Sequence, residues 1–371
     1  MTRASGRILL TALALLWGSP LAALAQQAKP ASPKTKAGAK SAAPVARYQI
    51  DADTTNSLGI RMPSMGALMG GASVGLETTT TRRLELLLTS SQVPSMTPRA
   101  EHVIPSGLQL GASLPLASGL PGPAGGEDRL AIEPKGKGRI LSFWGCGAQA
   151  GPGQPAVLEF ASLDADKLKQ TLRGLRPTAA DREAPGTRGN WPSGSEAPAI
   201  PLTGSLVGDH TVTGNYSPDI RFSLTPSQDF LAPLNLKTSP EGGALRLSWN
   251  GIDHILGLEA EVVGKGAGSD DVVIWTSSTS REGRGKSQGE LLPPDRTSCV
   301  MSVEARKAME LPMASLTAYG KAVTLRGPGW QVDLERRSSA SVPPFEGIDG
   351  KGAEQPTAPK GGGGFNPFKL F

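Results

Sequence analysis

A mainly β fold, in one or two sandwich-like domains, is what this sequence predicts, and three observations carry the expectation. Glycine and proline are abundant, at 47 and 32 of 371 residues, well above their usual share. Charged residues make up only 19% of the chain and aromatics 5%. Apolar residues alternate with polar ones in short runs bounded by Gly, Pro, Asn and Asp, the signature of strands joined by tight turns. The same composition argues against a helical bundle or a coiled coil, both rich in Ala, Glu, Lys and Leu.

The chain begins with an export pattern over residues 1–25. Arg3 and Arg7 supply a positive region, Ile8–Trp17 (ILLTALALLW) an apolar run, and Ala23-Leu24-Ala25 a small-residue cleavage site before Gln26. These three parts, in this order, define a secretory signal. Ten residues are too few to span a bilayer, which takes about 20. No later run is apolar for that length, so no transmembrane segment is expected after signal removal. The predicted location is periplasmic or secreted.

Residues 26–46 are rich in Lys, Ala and Pro and read as a disordered linker. Residues 47–176 form the first predicted β-rich domain. Within it, Thr78–Ser91 (TTTTRRLELLLTSS), Glu101–Leu116, Arg139–Trp144 (RILSFW) and Ala156–Phe160 (AVLEF) are strand-like. Asp164–Arg176 reads as a helix, with Leu168, Leu172 and Leu175 on one face and Pro177 ending it. Residues 177–203 carry Pro, Gly, Ser and charge and read as a linker.

Residues 204–341 form the second predicted β domain. Ile220, Phe222 and Leu224 alternate with polar neighbours, as do Leu245, Leu247 and Trp249. Leu256, Leu258, Ala260 and Val262 repeat the pattern, and Val272–Trp275 is a continuous apolar run. Trp330, Val332 and Leu334 alternate again. Ser302–Met309 is a short helix in this β-rich region. Residues 342–371 are a Gly/Pro-rich tail that ends in Phe365, Phe368 and Phe371.

Charge excludes one function class. Six of the 38 basic residues fall within residues 1–40, with no acidic residue among them, and the remaining 32 face 33 acidic residues. Nucleic-acid binding needs positive charge concentrated on a folded face, so no nucleic-acid partner is expected. The expected partners are an envelope protein or polysaccharide.

Cys146 and Cys299 are the only cysteines. In an oxidising compartment an even count permits one disulfide between them, and two separate buried thiols are the alternative. No Cys-x-x-Cys pair exists, and His102, His210 and His254 are far apart, so no metal and no cofactor is implied.

Other motifs fail on context. Gly71-Ala72-Ser73-Val74-Gly75 fits G-x-S-x-G but lacks the strand-to-helix setting of a nucleophile elbow. Gly285-Lys286-Ser287 lacks the first glycine of a phosphate loop. Asp209-His210 and Asp253-His254 are adjacent pairs, and neighbours on a strand face opposite ways, so surface or turn histidines are expected. Asp51 and Asp53 begin like a calcium loop but lack the glycine at its sixth place.

Two stretches carry a resemblance. One is Trp144–Pro155, where WGCG leads into GPGQP. The other comprises Leu247–Asn250 (LSWN), Val272–Ser278 (VVIWTSS) and Thr297–Cys299 (TSC). Together they resemble a group of uncharacterised exported proteins of Gram-negative bacteria, over Arg47–Ser339. The resemblance implies an envelope location and carries over no catalytic residue. Ala244–Asn250 with Leu256–Val263 is similar to a hairpin of fibronectin type III or immunoglobulin-like modules, with Leu258 where a tyrosine is usual.

The expected function is therefore non-enzymatic binding or scaffolding in the envelope. Two alternatives stand beside it: a secreted hydrolase acting on an envelope polymer through paired carboxylates, and an assembly subunit that docks through its Phe-rich C-terminus.

Overall fold

Two sixteen-residue strands open the described chain, β1 (Ala46–Arg61) and β2 (Gly75–Ser90). In β1, Tyr48, Ile50 and Ala52 are buried, while Gln49, Asp51 and Asp53 between them are half-buried. This period of two sends one face of the strand inward and the other outward. β3 (Ala100–Val103) and β4 (Ser113–Gly119) form a hairpin around a single 3-10 turn at Ser106–Leu108. Next come β5 (Arg139–Trp144), β6 (Ala156–Glu159) and β7 (Thr187–Trp191).

The second half supplies β8 (Gly208–Gly214), β9 (Ile220–Leu224), β10 (Lys237–Glu241), β11 (Ala244–Ser248), β12 (Ile255–Gly266) and β13 (Val272–Thr276). After β14 (Ser298–Met301) comes α1 (Val303–Ala308), then β15 (Met309–Gly320), β16 (Val323–Gly327) and β17 (Trp330–Val342). The structure, a computed structural model, describes residues 43–61, 75–119, 138–159, 186–193, 198–279 and 290–342. The helix expected at Asp164–Arg176 and the GASVG and GKS motifs lie outside these residues, apart from Gly75, which opens β2.

The fold is mainly β, as the composition predicts. One long mixed sheet runs β6-β5-β13-β12-β15-β17-β1-β2-β7-β4-β3-β8-β9, with β16 paired to β17. Two pairings in it are parallel, β1 with β17 and β5 with β13. A second sheet has the order β10-β11-β14.

Two cores result. In the first, β3, β4, β8 and β9 fold back over the inner face of β1 and β2, so that Leu84, Leu86 and Leu88 pack with Leu114, Val212 and Ile220. In the second, Leu245, Leu247 and Met301 of the small sheet pack on Leu258, Val262, Trp275 and Leu316 of the large one. This two-layer packing is a sandwich arrangement. Two of the buried tryptophans of the second core have their indole N–H groups satisfied: Trp275 donates to Gly145 O at 3.1 Å and Trp249 to Arg296 O at 2.7 Å.

The stretch 177–203, read from sequence as a linker, contributes β7 between β2 and β4. Strands from either side of it also pair, β1 with β17, β3 with β8 and β5 with β13. Only glycine fits at position 189, where an added Cβ would come within 2.3 Å of the Tyr216 hydroxyl. Along β12 the sequence alternation slips. Leu256 is 49% exposed while Leu258 is buried, because a register shift falls between Ile255 and Gly257.

Candidate functional site

The inner face of β1, β2 and β17 changes character along its length. Val332 and Leu334 of β17 belong to the first core and Ala340 to the second. Between them lie Arg336 and Ser338, both buried, beside Thr54 and Asn56 of β1. Buried polar groups are costly unless hydrogen-bonded, and here their partner is a crossing segment of backbone.

That segment is the connection between β9 and β10. It starts at a 3-10 turn (Pro226–Gln228) where Gln228 Oε1 accepts from Thr225 N at 2.8 Å, puts Phe230 into the first core and puts Leu231, Leu234 and Leu236 into the second. Thr54 donates to Leu231 O at 2.8 Å, Ser338 to Ala232 O at 2.8 Å and Asn56 to Leu234 O at 2.6 Å. Arg336 donates to Ser227 O, Asp229 O and Lys321 O, at 2.7, 3.2 and 3.2 Å. Burial holds the Arg336 guanidinium below its ordinary pKa, and the nearby Asp229 carboxylate opposes that shift. On β2, Arg82 donates to Gly204 O and lies over the Phe230 ring at 5.0 Å, a cation–π contact.

Beyond this polar seam, at the far end of the same face, lies a pocket of about 370 Å³. Leu58, Leu236, Ala340 and Val342 give it apolar walls, and Asn235 and Lys237 stand among its polar groups. Asn56 also lines it, but its amide is already engaged by Leu234 O, Asn235 Oδ1 and the Thr80 hydroxyl.

The opposite face of the sheet is polar. Arg337 pairs with Asp53 at 2.9 Å. Thr55 and Ser339 hydroxyls meet at 3.3 Å, as do those of Ser57 and Ser341. Tyr319 donates to Glu259 at 3.0 Å. Burial pushes the Asp51 carboxyl up to about 6; the hydrogen bond from Gln49 and the charge of Arg337 pull it down, and Glu335 and Asp53 add to the rise. Asp51 and Asp53 are thus strand residues of an open face. Asp51 lies in register with Glu335 and Glu85, side by side on the sheet.

Cys146 and Cys299, left open by the sequence, are joined in a disulfide with Cα atoms 5.2 Å apart. It ties the Gly145–Gly147 turn after β5 to β14, so it links the two sheets around the second core.

His210 corrects the expectation of a surface or turn residue: it is only 1% exposed. Its strand alternation sends Asp209 outward and the imidazole inward, onto Phe222 at 4.8 Å between ring centroids. His102, also buried, joins it. Tyr48 Oη lies 2.8 Å from His102 Nδ1, His102 Nε2 lies 3.0 Å from His210 Nδ1, and His210 Nε2 lies 2.8 Å from Leu206 O. A carbonyl oxygen only accepts, so His210 carries its proton on Nε2 and accepts at Nδ1. His102 therefore donates from Nε2 and accepts from Tyr48. Burial, with the neighbouring His210, lowers the His102 pKa to about 3. His254 is exposed, in a turn with φ 63°.

Among the described residues, no three His, Cys, Asp or Glu side chains converge as a metal site, and no helix is long and apolar enough to cross a membrane. No protein-family model and no curated protein matches the chain. Among solved structures, the chain is similar to the Mu homology domain of Fcho1 from Danio rerio, solved with a bound Eps15 peptide. The match covers 80% of this chain and 95% of that one, at 10% identity and a TM-score of 0.22. A score of that size carries no argument about function.

Proposed function

We propose that this chain is an exported, non-enzymatic binding or scaffolding protein of the cell envelope, cleaved after Ala25 and resident in the periplasm or outside the cell. The Cys146–Cys299 bridge is the observation that carries this reading. It uses both cysteines of the chain, and such bridges persist in oxidising compartments. The export pattern of residues 1–25 agrees with it. The open outer face, lined by hydroxyls and carboxylates, supports contact with an envelope protein or a hydrated polysaccharide.

Fractionation of expressing cells, with N-terminal sequencing and thiol labelling, tests the proposal. The expected product begins at Gln26, leaves the cytosol and takes up thiol label only after reduction. An uncleaved cytosolic chain with two free thiols would end the reading. Affinity capture from envelope extract, with residues 361–371 present and deleted, separates binding by the folded body from docking through the Phe-rich tail.

A further inference from the structure

We infer that the pocket beyond the polar seam is a site for a small anionic amphiphile, a medium-chain aliphatic carboxylate. The inference rests on the reading of the protein as a binding protein and names a ligand class for it. Leu58, Leu236, Ala340 and Val342 supply an apolar lining, and such a wall selects a hydrocarbon body. Asn56 does not compete for a polar ligand, because both its amide hydrogens and its oxygen are engaged within the protein.

Lys237 supplies the charge. It is the one ionisable group among the described residues that line the pocket, and it is exposed at the start of β10. Its ammonium makes no ion pair or hydrogen bond among the described residues. Glu77, the carboxylate beside Thr78 of the pocket wall, occupies the opposite-facing position of its strand. An anion entering head-outward therefore meets a cation, while its chain meets aliphatic carbon. The volume of about 370 Å³ lies at the lower end of ligand pockets, roughly 300–1,000 Å³. Room of that order suits an aliphatic chain of medium length, for which decanoate serves as the probe.

The test is an amide-shift NMR titration of the mature, oxidised chain with decanoate and with methyl decanoate. The ester shares the hydrocarbon but lacks the charge, so it stands for an esterified lipid chain. Saturable shifts confined to the ends of β1, β2 and β17 and to residues 234–238 are expected with decanoate, and weaker ones with the ester. Lys237→Gln should weaken decanoate by about tenfold, the effect of losing one charge-assisted hydrogen bond. It should leave the ester unchanged. Val342→Phe, which fills the pocket, should remove both responses while the melting temperature stays near wild type.

Equal affinity for acid and ester, an unaltered response in Lys237→Gln, or shifts elsewhere on the molecule would overturn the inference. The envelope reading fails separately. Export without decanoate binding removes only the ligand, and a cytosolic chain that binds decanoate removes only the location.

Discussion

His102 Nε2 donates to His210 Nδ1 across 3.0 Å of buried interior, and this bond fixes the proton on every ring nitrogen between Tyr48 and Leu206 O. The relay joins β1 to β3 and β8, across the two layers of the first core. A proton added to His210 Nδ1 would face the His102 Nε2–H, donor against donor, and burial disfavours a charge on either ring, so the folded state holds both imidazoles neutral.

Stability should therefore fall on acidification. The folded pKa of His102, about 3, lies below its ordinary 6.5, and His210 is lowered as well, chiefly by burial. Unfolded chains bind these protons first, so the stabilisation is present above pH 6.5 and is lost progressively as pH falls toward 3. Thermal melts from pH 7.5 to 3.5 should show it. Tyr48→Phe should cost about 1–3 kcal/mol at pH 7, because it leaves a buried imidazole nitrogen without its donor. In an Asp51→Asn background, which removes the carboxyl that titrates in the opposite sense, a melting temperature independent of pH over that range would contradict the relay.

Asp51 should act in the opposite sense. Its folded pKa, about 6, lies above the ordinary 3.8. Its contribution is thus fully present below pH 3.8 and lost as pH rises through 6. Asp51→Asn should stabilise by about 1 kcal/mol at pH 8 after allowance for solvent screening. The advantage should vanish near pH 4, where wild type and variant should melt together.

Arg336 and Arg337 are neighbours in sequence with opposite surroundings. Replacing Arg336 with Met strands three backbone carbonyls in the seam and should cost roughly 3 kcal/mol or more in urea unfolding. Arg337→Gln breaks a partly exposed pair with Asp53 and should stay within about 1 kcal/mol.

Reducing the disulfide should lower stability by about 2–5 kcal/mol, since it closes a long loop; the sequence separation is 153. The Cys146→Ser/Cys299→Ser double variant should melt like the reduced wild type, and reductant should no longer shift it.

Much of the strand content was legible. Arg139–Trp144 is β5, Ile220–Leu224 is β9, and Ser302 caps α1 through its bond to Ala305 N at 3.2 Å. β9 declares itself because one side is apolar and the other wet, and β5 because it is a short run rich in large apolar residues. β7 (TRGNW) shows no such alternation; it is placed by the gap between β2 and β4 and by Gly189. The seam was illegible for a related reason. Thr54, Asn56, Arg336 and Ser338 look like solvent-facing residues until the β9–β10 connection covers them. His210 gave only the alternation of its strand. The pocket has no motif, because its walls come from strands far apart in the chain.

The parallel pairing of β1 with β17 sets an order of events during biosynthesis. Asp53 must wait for Arg337, 284 positions later, before the middle of the long sheet can close. Until then the ribosome has delivered an edge with no neighbour, and such long-range closure is slow. A chain built this way leaves β1 without its β17 neighbour until almost all of the described strands have been made.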